Sequence, residues 1–531
     1  MKRTFISAAA ILAFAATAHA DELSDVQAQA KQLREQSAAQ NAAMTKRIAD
    51  LEKRQKALEA QKPVAINPVD AMAADLPYKA AVKAKPPEND DICVKGICVY
   101  GNIDMGLQYI QHSAPFAGTA PGPLDTLVSK NGGMGSYFGV GVNQMSSSFL
   151  GLRGKQEIGD NLYAVFNLQT IFNPASGMNG SGTGSIAQNN GLAVNNAQNS
   201  FGDSSKGGQM FNNAEYFGLS SPIYGTFTMG RQSALSSDLI VNYDPLSGSN
   251  SWSVITFQGA NGGGGVTEDR IYDNSYEYRV NIGPVRLAAE AQLGNGGNSG
   301  TGNAFEGDIG FDYMGFSMDF LGGHIDDAIS AAPLAVGVLP TVAVGNGQLG
   351  VTVSDNTVFQ VAARYAIGPW KLFAGYEHID FANPNNPLSA GAFLQGGFIA
   401  GTVNNTNFPT DKILQTAWFG VKYSITPALD ITGAYYHEWD NTFATSPTTL
   451  AGCAALGSSS AQCAGTLDAV SLVLDWRFAR HMDMYAGVMW SQVTGGLANS
   501  FIVNNVGTTV QSIGVNRSSN YDPGIGLRYQ F

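Results

Sequence analysis

The residues that could do chemistry are few and scattered. Six histidines stand at positions 19, 112, 324, 378, 437 and 481. A hydrolase would need one of them to converge with a nucleophile and an acid. No serine sits in a Gly-x-Ser-x-Gly elbow beside a suitable strand, so covalent catalysis has no carrier in the pattern. The four cysteines form two local pairs, Cys93 with Cys98 and Cys453 with Cys463. Neither pair has histidine or acidic ligands at metal-binding spacing. In an exported chain such short separations favour disulfides that close small loops. The expectation is therefore no enzyme, no metal and no cofactor. The informative charges are those on strand-like segments, where Arg153 and Lys155 share one face and Leu150 and Leu152 the other.

Those charges need elements to position them, and the first elements concern export. Lys2 and Arg3 precede an apolar run from Phe5 to Ala16, and Ala18-His19-Ala20 supplies small residues for cleavage. Residues 1–20 read as a signal peptide. The run is far short of the ~20 residues a membrane-spanning helix needs, and nothing later in the chain reaches that length. The 531 residues include 63 Gly, 14% charged residues and 10% aromatics. Low charge with many aromatics argues for strands and turns against disorder. The formal charge is −12. Residues 21–90 balance their acids and bases, so the acidic excess lies in the region after residue 90, and nucleic acid is not an expected partner.

Residues 21–62 read as a helix, with Leu23, Ala30, Met44, Leu51 and Leu58 at multiples of seven and Val26 and Leu33 interleaved. This heptad seam, shifted between Met44 and Ile48 like a four-residue stutter, predicts a self-associating coiled coil. Residues 63–91 carry Pro63, Pro68, Pro77, Pro86 and Pro87 with Lys79, Lys83 and Lys85, and read as a semi-extended linker able to touch an anionic cell-wall polymer such as peptidoglycan.

From residue 92 the pattern changes. Apolar alternation recurs in sixteen segments: 97–110, 144–157, 161–172, 211–220, 224–232, 271–282, 284–294, 304–314, 315–325, 357–368, 369–380, 412–424, 427–439, 467–479, 481–493 and 520–531. Seven connections are tight and eight are long, and the two classes alternate along the chain. A meander with all its short turns at one end and all its long loops at the other predicts an all-β, 16-stranded antiparallel transmembrane barrel, with the short turns periplasmic. An even strand number returns both termini to the periplasm. Period two places Ile103, Met105 and Leu107 toward lipid and Asn102, Asp104 and Gln108 toward the lumen. The final segment does the same, with Ile525, Leu527, Tyr529 and Phe531 on its apolar face.

Local sequences within these segments are recognisable. Val99-Tyr100-Gly101-Asn102-Ile103-Asp104-Met105-Gly106, Ser148-Phe149-Leu150-Gly151-Leu152-Arg153-Gly154 and Asn161-Leu162-Tyr163-Ala164-Val165-Phe166-Asn167-Leu168 resemble the opening strands of the general bacterial porins. Glu215-Tyr216-Phe217-Gly218-Leu219-Ser220 with Tyr224-Gly225-Thr226-Phe227-Thr228-Met229-Gly230-Arg231-Gln232 resembles the hairpin before that family's constriction loop. The resemblance implies a homotrimer in outer-membrane lipid whose third external loop, here about 233–268, folds into the lumen. It also implies that Tyr529 and Phe531 form the signal read by the barrel-assembly machinery. Its constriction candidates are Asp238, Asp244, Glu268 and Asp269 against Arg153, Arg231 and Arg270, with Lys155 beside Arg153. Opposed charges across a narrow aqueous passage would set up a transverse field. Two departures qualify this: Phe149 stands where relatives carry an arginine, and parity puts Arg231 with Phe227 and Met229 unless the ladder bends at Gly230. Passive diffusion of small hydrophilic solutes and ions is the function implied, with the acidic excess favouring cations. A solute-specific channel, or a protein tying the outer membrane to the cell wall through its N-terminal helix, are the alternatives.

Overall fold

The computed structural model describes residues 92–111, 136–180, 210–255, 271–294, 302–333, 349–382, 411–441, 464–495 and 517–531, with isolated positions Lys31 and Lys46 and the short strands 402–404, 501–503 and 510–512. The signal peptide, the heptad helix, the proline-rich linker and the Cys453, Cys463 pair lie outside the described residues.

Sixteen strands close a barrel. In chain order they are β1 Ile97–Ile110, β2 in two parts (Tyr137–Val142 and Phe149–Gly159), β3 Leu162–Ile171, β4 Ala214–Ser221, β5 Gly225–Ser233, β6 Ile271–Ile282, β7 Val285–Gln292 and β8 Ala304–Tyr313. Then come β9 Phe316–Pro333, β10 Leu349–Ile367, β11 Trp370–Ala382, β12 Lys412–Thr426, β13 Leu429–Asp440, β14 Gly465–Ala479, β15 Met482–Thr494 and β16 Arg517–Gln530. Each pairs antiparallel with its sequence neighbour, and β16 closes on β1 through Asn102↔Gln530 to Gln108↔Gly524. Phe531 completes the seam, its carbonyl accepting from the Gly101 amide at 2.8 Å and its amide donating to the Gly101 carbonyl at 3.1 Å.

The alternation sorts side chains as a lipid-embedded sheet requires. Ile103, Met105 and Leu107 are exposed while Asn102, Asp104 and Gln108 are buried. Such an apolar outer band is a liability in water and a necessity in a bilayer. Tyr313, Trp370, Trp476 and Tyr529 stand exposed on the outer face near the tight-turn end, where amphipathic rings match a membrane interface. Two of those turns carry consecutive left-handed residues, Asp160-Asn161 and Met314-Gly315. Primed turns of this kind match the twist of the flanking strands.

Three departures from simple alternation matter. First, β2 is interrupted: residues 143–148 leave the ladder, and both halves still pair with β1. The polar run Asn143-Gln144-Met145-Ser146-Ser147-Ser148 turns inward, where the Asp104 carboxylate accepts from the Met145 amide at 3.0 Å and the Ser146 amide at 2.9 Å. Second, a bulge between Gly230 and Gln232 breaks the β5/β6 register, with Gly230 at φ +134°. Third, β9 and β10 run beyond their sequence-based ends, paired out to Pro333↔Leu349 past an irregularity at Ile325/Ala328. At the other end of the barrel, Ile92–Val94 pairs back on β1, and Cys93 and Cys98, opposite one another, form a disulfide.

Candidate functional site: the segment inside the barrel

After β5 the chain turns into the barrel and forms a helix, α1, Leu235–Tyr243. Its apolar residues Leu235, Leu239, Ile240 and Tyr243 fall on one face and are buried against the inner wall. The residue before it, Ala234, has no side chain able to cap the first amides. The barrel supplies the cap instead. Glu290 of β7 accepts from the Leu235 amide at 3.2 Å, and Glu306 of β8 accepts from the Ser236 amide at 2.8 Å and its hydroxyl at 2.7 Å. Carboxylates at this end satisfy orphan donors and complement the helix dipole. Asp238 pairs with Arg279 of β6, which also binds Glu277 at 2.6 Å.

Beyond α1 the segment continues around the wall. The Tyr243 carbonyl accepts from Trp418 Nε1 at 3.0 Å, and the Asn242 carbonyl accepts from Arg364 at 3.1 Å. Asp244 is fully buried and accepts from the Tyr436 hydroxyl at 2.6 Å and the Gly248 amide at 2.7 Å. Burial pushes its carboxyl up to about 6. The segment then meets the interruption of β2. Ser249 Oγ donates to the Gln144 carbonyl at 2.8 Å, the Ser251 amide donates to the same oxygen at 3.0 Å, and Asn250 Nδ2 donates to the Asn143 carbonyl at 2.7 Å. The inward fold of β2 is thus a docking post for this segment.

Trp252 comes next, wholly buried. Its ring lies edge-on to Tyr485 at 5.8 Å, and Nε1 donates to the Asp522 carbonyl at 3.0 Å. The slot exists because Gly487 and Gly524 carry no side chain; a Cβ on either would stand 2.8 Å or 3.1 Å from the indole. Behind it, Tyr485 donates to Asp104, and Arg528 pairs with Asp483 at 2.8 Å.

The sequence-derived candidates occupy different places in this arrangement. Asp238 stands at the α1/β6 junction, and Asp244 is enclosed between the segment and β13. Arg153 and Lys155 are half-buried on the lumenal face of β2, their cationic groups 4.8 Å and 4.0 Å from the Tyr100 and Tyr163 ring centroids. Arg231 sits at the Gly230 bulge and binds Asp273 and the Asn212 carbonyl at 3.0 Å. Glu268, Asp269 and Arg270 lie outside the described residues. The residues that hold the segment, Glu290, Glu306, Gln144 and Trp252, escape the sequence reading because their partners are far away in the chain. The polar break at 143–148 and Gly487 and Gly524 inside strands are the available signals. Among the described residues no three histidine, cysteine or acidic side chains converge as a metal site.

The comparisons accord with this geometry. The family model for the Gram-negative porins matches residues 71–496. An outer membrane porin protein of Bordetella pertussis is 28% identical over 150 residues, which is 28% of this chain and 31% of that protein. The chain thus aligns with about a third of that curated relative's length. Among solved structures, an anion-selective porin from Comamonas acidovorans has the same fold, with a TM-score of 0.51, 15% identity, and coverage of 82% of this chain and 99% of that one. A barrel of sixteen strands with an inward-folded third external segment and a match over most of its length places the chain in one group: it belongs to the Gram-negative porin family.

Proposed function

We propose that the chain forms a water-filled outer-membrane channel through which small hydrophilic solutes and ions diffuse passively. The observation that carries this reading is the inward segment. Sixteen strands enclose more space than wall side chains fill, and the segment from Leu235 to Ile255 is braced across that space by bonds to widely separated strands. A narrowed aqueous path, with polar and charged groups on the lumenal face, favours hydrated solutes over apolar ones. Arg153 and Lys155 on β2, Asp238 and Asp244 in the segment and Arg231 at the β5 bulge are the groups we assign to the field along this path, and Glu268, Asp269 and Arg270 join them on the family resemblance alone. The homotrimer, the recognition of Tyr529 and Phe531 by the assembly machinery, the cleaved leader at 1–20 and the periplasmic coiled coil at 21–62 are part of the same proposal; the family resemblance and the sequence pattern support them. Planar-bilayer recording of the purified protein tests it: conductance steps grouped in threes with weak ion selectivity are expected, and absence of conductance from folded barrels would overturn the reading.

A further inference from the structure

Below the inward segment, toward the tight-turn end, the barrel holds a pocket that none of the bracing contacts needs. Its walls include Ser247 of the segment and, from the barrel, Lys422, Thr432, Asp475, Arg477 and Arg528. Two of the three cations are committed: Arg477 binds Asp430 at 2.8 Å, and Arg528 binds Asp483 at 2.8 Å. Lys422 differs from both. Among the described residues it makes no salt bridge and no hydrogen bond, although Asp430 and Asp475 attract it from further off, and the ladder sets it directly opposite Lys371 on β11. Both lysines face the lumen, where directly opposed like charges weaken a sheet. Asp430 and Asp475 offset part of that repulsion, and an anion visiting the pair on a water-filled path would offset more.

The acid in the pocket adds a second requirement. Asp475 stands 3.7 Å from Arg477 and 3.9 Å from Arg528 through one oxygen, Oδ2. Its other oxygen, Oδ1, is buried with no hydrogen-bond partner. A buried acceptor of this kind gains from any donor brought to it. The pocket therefore offers an ammonium without a salt bridge and a carboxylate oxygen without a hydrogen bond, and Thr432 and Ser247 also line it.

We infer that this pocket is a binding station for small carboxylates that carry a hydrogen-bond donor on the neighbouring carbon, the α-hydroxy and α-amino acids. The carboxylate sits on Lys422, and the hydroxyl or ammonium donates to Asp475 Oδ1. This inference rests on the channel reading and gives it a preferred solute class.

The test is solute-dependent current through the full-length protein in a planar bilayer, with lactate, glycine or acetate added on the side of the tight turns. Lactate and glycine are expected to reduce the chloride current saturably, and acetate, which lacks the donor, about tenfold more weakly. Lys422→Gln should abolish the block by all three, while Lys422→Arg retains it. Asp475→Leu, which removes the acceptor, should keep block by acetate and erase the advantage of lactate and glycine. Linear, unsaturable currents in the wild type, or block unchanged in Lys422→Gln, would overturn the station. Equal block by acetate and lactate would overturn the donor contact. Chloride conductance in every variant is the internal control: its loss from folded wild-type protein would count against the channel itself and not against the station.

Discussion

At its helical end the inward segment is held by charge: Glu290 and Glu306 cap α1, and Arg279 clasps Asp238. At its far end it is held by neutral groups: Ser249, Asn250 and Ser251 bond the backbone of the β2 interruption, and Trp252 fills a slot between β15 and β16. The two ends should fail in different ways. The partly solvated Arg279–Asp238 pair weakens with salt, the buried Glu290 and Glu306 caps are screened far less, and a buried indole responds to volume and shape. Asp244, between them, belongs to both: it is a carboxylate, yet it is shielded from water and bonded to Tyr436 and Gly248.

The neutral end should give the largest effect. Trp252→Ala removes a fully buried ring and is expected to cost about 3–5 kcal/mol of docking. Single-channel traces should then show larger and noisier conductance at every salt concentration. Gly487→Ala, which drives a Cβ against the same ring, should reproduce the noise with a loss of about 1–3 kcal/mol. Unaltered traces from both variants would remove Trp252 from the account.

Asp244 ranks second. Its carboxyl is raised to about 6 in the docked segment against an ordinary value of 3.8, so docking favours the protonated form. The sign is then fixed: docking is strongest at low pH and loses on the order of 2–3 kcal/mol as pH rises from the ordinary carboxylate value through about 6. Channel noise should therefore fall between about pH 7.5 and about pH 5, and Asp244→Asn should flatten that dependence. Noise that rises on acidification would reverse the assignment.

The charged end should give smaller effects. Glu306→Gln leaves a hydrogen-bond acceptor but removes the charge at the α1 N-terminus, a change of about 1 kcal/mol. Arg279→Gln should cost under about 1 kcal/mol, since its guanidinium is partly solvated. Raising salt should shrink the Arg279 difference and leave the buried Glu306 difference nearly unchanged; a salt-independent Arg279 loss would mean that packing, not charge, makes that contact.

The contrast also explains what the sequence discloses. The ladder is legible because each strand carries its own period of two, and the β6 ends, Ile271 and Ile282, fall at the boundaries the alternation predicts. The lumenal position of Arg153 is implied by Leu150 and Leu152. Arg231 stands out by its conflict of parity, and the bulge at Gly230 is the physical resolution. The interruption of β2 is hidden because Asn143 to Ser148 can be read as alternating polar positions of one continuous strand. The caps on α1, the Trp252 slot and the opposition of Lys371 and Lys422 depend on register between residues tens to hundreds of positions apart, which local patterns do not encode. The outer half of the long β9/β10 ladder lacks strong alternation and so reads as loop.

On the channel reading, the segment Leu235–Ile255 narrows a conducting lumen. Its most direct test is single-channel conductance of the intact protein against a variant in which 235–255 is replaced by a short Gly-Ser linker, both verified as folded by heat-modifiable mobility. Conductance rising severalfold in the variant, with any cation or anion preference reduced, is the expected result. Equal conductance in the two proteins, or no conductance in either, would contradict the account.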